Sequence, residues 1–214
     1  MNYIQNPVQV ITRKMVTPNQ YINIDYPVII RLANSTVQQT INNVILHTIN
    51  MLIKKQMNKL IVEQGYKNPV VSMDGWYEIK TNERGIFSLT IGNYTFAYPA
   101  AHGLTILKSL TFDIQSGKIY KLSEMFKPES NYVKVLSDII EKQIQARDIP
   151  LLGEFKGIAP EQYYYIADKC LVIYFQLYDI TPYAFGFPFF PISVYEIQDI
   201  VKENSPLGKM ATND

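Results

Sequence analysis

The feature that most restricts the fold of this chain is a repeated change in the spacing of its apolar residues. Near residues 35 to 62 and 130 to 147, apolar residues recur every three or four positions, which predicts two amphipathic helices. Between these segments the spacing falls to two, as at Phe87, Leu89 and Ile91, which predicts half-buried strands. The predicted strands cover residues 8 to 18, 21 to 32, 73 to 80, 86 to 98, 104 to 114, 119 to 122, 163 to 167 and 170 to 178.

Residues at the segment ends predict where the helices begin and stop. Ser35 and Gln38 have the spacing of a capping box, and Gly65 suits the left-handed residue that closes a helix. Pro150 ends the second helix because proline disfavours helical backbone at the residue before it. A second capping box, Ser193 with Glu196, predicts a short third helix near the C-terminus.

These elements predict an α+β fold with mainly antiparallel sheets and two amphipathic helices packed on one face. Antiparallel pairing follows because short turns, such as residues 115 to 118, join consecutive strands. The repeated order of strands and helix predicts two intimately packed subdomains that meet near residues 99 to 105. We therefore divide the chain into residues 1–100, residues 101–205 and a loose tail, residues 206–214.

Charge and composition exclude several classes of partner. The net charge is +1, and the longest basic cluster is Lys54–Lys55, so the chain lacks the basic surface that nucleic-acid binding requires. No apolar run approaches the roughly 20 residues that span a bilayer, and residues 1 to 14 do not read as a signal peptide. We expect no nucleic-acid partner and no membrane insertion, and the sequence as written predicts a soluble, cytoplasmic chain.

The residues available for catalysis and metal binding are few. The chain has two histidines and one cysteine: His47 falls within a predicted helix and Cys170 within an apolar strand, so both are predicted to be structural. His102 lies in a loop of small residues and is the stronger functional candidate. Neither a nucleophile elbow nor a glycine-rich phosphate loop occurs. We therefore expect no metal, no cofactor and no catalytic residue.

The most unusual segment, residues 178 to 190, mixes six aromatic residues with prolines and a glycine. It could be a buried cover over the sheet or a stiff loop that anchors a partner. In the second interpretation, Pro182 fixes the backbone and Gly186 permits a conformation closed to other residues. The binding residues would then be Tyr183, Pro182, Phe185 and Gly186, together with His102.

Three stretches of the sequence resemble one bacterial family. They are AHG at residues 101–103, LTFDIQSGKIYKLSEMF at residues 110–126 and YIADKCLVIYFQLYDITPYAFGFP at residues 165–188, which contains the motif Pro-Tyr-x-x-Gly-x-Pro. They resemble the C-terminal domain of unknown function in RsiV-like anti-sigma factors. Residues 8 to 98 are similar to its usual N-terminal companion domain, and this pair of domains also accompanies some peptidoglycan deacetylase domains.

The resemblance implies a binding function, because the domain pair of RsiV-like proteins, usually extracytoplasmic, binds lysozyme. This sequence lacks their transmembrane helix, sigma-binding segment and signal peptide, so it does not carry over their signalling function. The leading expectation is a non-enzymatic module that binds an unknown protein or cell-wall ligand. The alternatives are a cell-wall or glycan hydrolase that uses His102 with nearby carboxylates, and a structural protein of a Gram-positive bacterium.

Overall fold

A computed structural model describes residues 7–17, 21–60, 65 and 70–211. Within these residues, eight strands and three helices are defined. Two 3₁₀ turns, at Leu122–Met125 and Tyr183–Phe185, complete the ordered elements. The elements are β1 (Gln9–Thr17), β2 (Ile22–Ile30), α1 (Ser35–Asn58), β3 (Val71–Glu83), β4 (Ile86–Ala97), β5 (Leu104–Asp113), α2 (Tyr132–Ala146), β6 (Tyr164–Ala167), β7 (Cys170–Tyr174), β8 (Phe189–Ser193) and α3 (Pro206–Ala211).

The first sheet has five strands in the order β1-β2-β3-β4-β5. All neighbouring pairs are antiparallel except β2 and β3, which run parallel over three residue pairs. A parallel pair requires a crossover connection, and α1 lies in that connection. The α+β class with mostly antiparallel sheets is therefore confirmed.

Helix α1 covers one face of this sheet with the predicted apolar stripe. Its buried residues pack with Phe87, Leu89 and Ile91 of β4. The capping residue, however, is Asn34 and not Ser35: the Asn34 side-chain oxygen accepts hydrogen bonds from the backbone N–H groups of Thr36 and Val37. The buried residues of α1 are Val37, Ile41, Ile45, Ile49, Leu52 and Gln56.

The predicted capping box is absent because Asn34, one residue earlier, is the N-cap, so Gln38 is one position too far along to complete the box. Its side-chain oxygen accepts a hydrogen bond from the backbone N–H of Leu32, 2.9 Å away, so it fixes the chain that enters the helix. The predicted end of the helix, between residue 62 and Gly65, falls partly outside the described residues.

The second sheet has three antiparallel strands in the order β6-β7-β8. Helix α2 buries Leu136, Ile140 and Ile144 in a core shared with Ile173 of β7 and Ile192 of β8. Each long helix thus covers one face of its own sheet, as the apolar spacing of both segments predicts.

The two sheets meet where β6 rests on the first sheet, on the face opposite α1. The hydroxyl of Thr81 donates to the carbonyl of Ile166 and accepts from the N–H of Asp168, both at 2.9 Å. The hydroxyl of Ser88 accepts from the N–H of Ile166 at 3.1 Å. Small hydroxyl side chains therefore satisfy the free backbone edge of β6, which explains why polar residues are buried here.

A buried tyrosine adds to this contact. Tyr174 of β7 is fully buried, and its hydroxyl donates to Ser109 of β5 at 3.0 Å. Burial raises the pKa of Tyr174 well above its usual range, so the hydroxyl stays protonated and remains a donor.

Of the two edge strands of the first sheet, β5 has backbone groups that are covered at two places. The side-chain amide of Gln176 donates to the carbonyl of Leu107 and accepts from the N–H of the same residue, at 2.7 and 3.0 Å. Farther along, the N–H of Tyr120 donates to the carbonyl of Thr111 at 3.0 Å. The predicted strand at residues 119 to 122 is reduced to a single bridge between Phe112 and Ile119.

Two predictions for the C-terminal region are wrong. Strand β8 ends at Ser193, and a series of turns replaces the predicted helix that follows. Residues 206 to 211 of the predicted loose tail form α3, in which Leu207 and Met210 are buried against the second core. The tail was predicted loose because chain ends are usually poorly ordered, but its two apolar side chains reach a core contributed by distant residues. Residues 212 to 214 lie outside the described part of the chain.

The predicted boundary between residues 100 and 101 falls in the loop between β4 and β5. These two strands pair along ten residues, so the first sheet continues across that position. The boundary itself stays a prediction. Across the ranges that the structure describes, no helix has the length and apolar character needed to cross a membrane.

Candidate functional site

Two loops that are distant in sequence meet beside the start of β5. The first carries His102 between β4 and β5, and the second carries Tyr183 in the 3₁₀ turn between β7 and β8. The Tyr183 hydroxyl donates to the carbonyl of Gly103, 3.1 Å away. All five residues predicted to bind a ligand lie on these two loops.

Three aromatic side chains form a stack at the meeting point, which we call the aromatic stack: His102, Tyr178 and Tyr183. The ring centroids of His102 and Tyr183 are 4.5 Å apart, with 30° between the ring planes. Those of Tyr178 and Tyr183 are 5.5 Å apart, with 29° between the planes. The Tyr178 hydroxyl lies 3.5 Å from Nε2 of His102. These are ordinary stacking distances, so Tyr183 holds the two loops together.

The loop that carries His102 packs closely because Gly103 has no side chain. A Cβ atom at Gly103 would lie 2.3 Å from the ring of Tyr94, a distance that real side chains do not adopt. Nδ1 of His102 lies 3.0 Å from the carbonyl of Gly103, which orients the imidazole ring. Gly103 is therefore a requirement of the site that sequence reasoning did not identify.

The second loop is held by unusual backbone conformations. Pro182 has φ −57°, and Gly186 has φ +81° with ψ −155°, a region that residues with a side chain rarely adopt. The roles that the sequence predicts for these two residues therefore match their backbone geometry. Tyr178 also has a positive φ, +70°, which is uncommon for a bulky residue.

The aromatic residues of this region differ in exposure. Tyr183 is half-buried, so it is intermediate between the two interpretations of residues 178 to 190, a buried cover and a loop that anchors a partner. Phe185 is 38% exposed and Tyr178 is 48% exposed, so these two rings face solvent. Tyr178 lies beside the predicted binding residues Tyr183 and His102, and this position could be recognised only after the two loops were brought together.

A small cavity of about 40 Å³ lies beneath the loop that carries His102. Its wall includes the buried Gln56 of α1, whose side-chain amide donates to the carbonyls of Asn93 and Leu104 at 2.8 and 2.9 Å. The hydroxyl of Thr95 donates to the side-chain oxygen of Gln56. The cavity is too small for an organic ligand. These bonds instead fix the start of β5 under the aromatic stack.

The chemistry around His102 is sparse. Its ring contacts the Gly103 carbonyl, the Tyr183 ring and the Tyr178 hydroxyl, and within the described ranges no carboxylate forms a hydrogen bond or ion pair with it. The same part of the chain contains no group of three His, Cys, Asp or Glu side chains that could hold a metal ion. His47 is exposed on α1, and Cys170 is half-buried in β7.

Comparison with known proteins gives two family matches. Residues 123–195 match the family described as "Protein of unknown function (DUF3298)", and residues 15–105 match the family described as "Deacetylase PdaC". The first match includes the loop of the aromatic stack that carries Tyr178 and Tyr183, and the second includes His102. No curated protein matches the sequence.

Two solved structures share the fold of the whole chain. One is a member of the DUF3298 family from Bacteroides fragilis, with 13% sequence identity and a TM-score of 0.71 over 98% of this chain and 100% of that chain. The other is a DUF3298 family protein from Pseudomonas aeruginosa, with 13% identity and a TM-score of 0.72 over 98% and 99% of the two chains. At this level of identity the likeness concerns the fold alone.

Proposed function

We propose that this chain is a non-enzymatic binding module that holds a protein or cell-wall ligand on the surface around the aromatic stack. The observation that carries the proposal is the pair of solvent-facing rings, Tyr178 and Phe185, on a loop fixed by stacking and by the bond from Tyr183 to Gly103. Exposed aromatic rings on a rigid support give much contact area at a small entropic cost.

The class of ligand follows from the resemblance to RsiV-like proteins. In those proteins the paired domains bind lysozyme, so lysozyme is the first protein ligand to test. Because companion domains of this kind also occur beside peptidoglycan deacetylase domains, the wall polymer itself is the second. Both ligands offer sugar rings or side chains that can pack against an aromatic surface.

The match of residues 15–105 to the family described as "Deacetylase PdaC" favours a second candidate, an enzyme that acts on a wall glycan through His102. A catalytic histidine works with a nucleophile and with a group that orients its ring. The carbonyl of Gly103 orients His102, but within the described residues its other contacts are two tyrosines, and no Ser, Cys, Asp or Glu side chain forms a hydrogen bond with it. This arrangement suits a binding surface better than general acid–base catalysis.

The test compares binding of lysozyme and of insoluble peptidoglycan by wild-type protein and by Phe185→Ala. We expect one of the two ligands to bind, and we expect the substitution to weaken binding by about 2 kcal/mol, as for a central aromatic anchor. The melting temperature should change little because Phe185, which is 38% exposed, is not part of any of the three buried apolar clusters of the described residues. Tyr183→Ala should lower both binding and the melting temperature, since Tyr183 also joins the loops.

Tyr195→Ala is the matched control. Tyr195 is 41% exposed, close to the value for Phe185, but it follows the far end of β8. Unchanged binding by this variant would localise the effect to the aromatic stack. Failure of both ligands to bind would contradict the proposal, as would release of acetate or sugar from peptidoglycan that His102→Ala abolishes.

A further inference from the structure

A second cavity, separate from the aromatic stack, lies between the C-terminal half of α1 and strand β5. Its volume is about 570 Å³, within the range of pockets that hold small organic ligands. Tyr163, immediately before β6, closes one side. The cavity is therefore built by three parts of the chain that the two sheets hold in place.

The charge of this cavity is positive and uncompensated. Lys54 and Lys55 reach it from α1 and Lys108 from β5, whereas no Asp or Glu is part of its wall. Among the described residues, no carboxylate lies within ion-pair distance of any of the three lysines. This local excess differs from the chain as a whole, in which 20 Lys and Arg residues are nearly balanced by 19 Asp and Glu residues.

Lys108 is held close to a like charge. Its ammonium nitrogen lies 4.9 Å from the centroid of the Tyr163 ring, a distance typical of a cation–π contact. Burial lowers the pKa of Lys108, and the neighbouring charge of Lys55 lowers it further. Bringing cations together without a counter-charge costs free energy, which a bound anion would recover.

The remaining wall is partly apolar. Met51, which is 50% exposed, and Ile106 contribute aliphatic surface and Tyr163 an aromatic ring, beside the uncharged polar side chains of Thr48 and Asn58 and the imidazole of His47. A ligand that fits this wall has an apolar or aromatic part beside its charged group.

We propose that this cavity binds a small organic anion. Its carboxylate, phosphate or sulfonate group would lie between Lys55 and Lys108, with its apolar part against Met51, Ile106 and Tyr163. The size of the cavity and its charge carry this inference, which does not rest on the proposed function of the aromatic stack. A nucleic acid is a poorer fit because three lysines on a chain of net charge +1 neutralise too few phosphates.

The probe is 8-anilinonaphthalene-1-sulfonate, an aromatic anion whose fluorescence reports binding. We expect one bound molecule per chain, and we expect Lys55→Met and Lys108→Met each to raise the Kd about tenfold, the scale of one lost charge-assisted bond. Methionine keeps the apolar stem of lysine, so the folded structure should persist, and a melting curve of each variant checks this. Phenyl phosphate and benzoate, added as competitors, identify the preferred anionic group.

Two controls make the result specific. Lys142→Met removes an exposed lysine from α2, remote from the cavity, and should leave the Kd unchanged. N-phenyl-1-naphthylamine has the same rings without the sulfonate and should bind at least tenfold more weakly if charge directs binding. Equal affinity for the neutral probe, no effect of either lysine substitution in folded protein, or no saturable binding of the anion would overturn the proposal.

Discussion

At the scale of single residues, the loop that carries Tyr183 depends on Gly186. Its φ of +81° and ψ of −155° lie in a region that is almost restricted to glycine. A Cβ at this position would meet no atom within 4 Å, so the only cost of a side chain is backbone strain. The effect of backbone strain at Gly186 on the free energy of unfolding can therefore be measured without a change in packing.

We predict that Gly186→Ala lowers the free energy of unfolding by about 1–3 kcal/mol, the cost of one residue held in a disallowed conformation. Urea denaturation measures this change. Gly153→Ala is the control, because Gly153 also has open space around it but its φ lies outside the positive region. It should be neutral or slightly stabilising. An equal loss in both variants would mean that strain at Gly186 is not the cause.

The sequence predicts the roles of Pro182 and Gly186 because those roles are local. Each follows from the dihedral angles that one residue type can adopt. The stacking of Tyr183 on His102 could not be predicted, since the two residues are 81 positions apart and neither is part of a periodic apolar pattern. Tyr178 was omitted for the same reason, although it lies only five positions from Tyr183.

At the scale of elements, two neighbouring residues, Asn34 and Ser35, are the candidates for the N-cap of α1. Asn34 accepts two backbone N–H groups of the first turn, while the side chain of Ser35, the first helical residue, forms no cap. We predict that Asn34→Ala lowers the free energy of unfolding by about 1 kcal/mol and that Ser35→Ala has a much smaller effect. Chemical denaturation of the two variants decides between them. A larger loss for Ser35→Ala would restore the capping box that the sequence suggests.

Helix α3 is tied to the first sheet by an ion pair. Nζ of Lys209 lies 3.2 Å from a carboxylate oxygen of Asp113, at the end of β5. Burial raises the pKa of Asp113, but the hydrogen bonds from Ser116 and from Lys209 outweigh it and hold that pKa below its usual value. The folded state therefore binds a proton at Asp113 less readily than the unfolded state does.

This difference makes the stability of the protein depend on pH. The contribution of ionised Asp113 is fully present above the unfolded pKa of about 4 and is lost as the pH falls through the lower, folded value. We predict that Asp113→Asn destabilises the protein at pH 7 and that its difference from wild type shrinks below pH 4. Urea denaturation at several pH values measures it. Asp138→Asn, which breaks an exposed pair on α2, should show no such convergence.

At the scale of the whole molecule, the contact of β6 with the first sheet should make the two sheets unfold together. The hydroxyl of Thr81 serves both Ile166 and Asp168, so its loss leaves two backbone groups without a partner. We predict that Thr81→Val costs about 1–3 kcal/mol and shifts the entire transition. Fluorescence of Trp76 in β3 and far-ultraviolet circular dichroism of the whole chain should report one common midpoint in the wild-type protein and one common, lower midpoint in the variant.

The control for this prediction is Thr12→Val. Thr12 lies on β1, away from the contact between the sheets, and its hydroxyl pairs with Tyr77 at an exposed position. It should change the midpoint little. Two separate transitions in the wild-type protein would show that the sheets unfold independently.

The two long helices and most of the strands could be predicted because each carries its own apolar spacing. The parallel pairing of β2 with β3 could not be predicted, since it depends on which strand the chain pairs with after it leaves α1. The burial of Leu207 and Met210 in α3 also depends on a surface built elsewhere in the chain. The contacts between elements could thus not be predicted, because the local sequence of one element does not indicate which other element it packs against.

The bonds from Gln176 to Leu107 have a consequence for how copies of this chain behave beside one another. A sheet margin with unused peptide groups recruits strands from other molecules and can grow into an ordered aggregate. Here the side-chain amide of Gln176 forms with Leu107 the two hydrogen bonds that a neighbouring strand would form. Farther along β5, the N–H of Tyr120 donates to the carbonyl of Thr111. At these positions the β5 edge of the first sheet is therefore protected from pairing with another molecule, without the addition of a sixth strand.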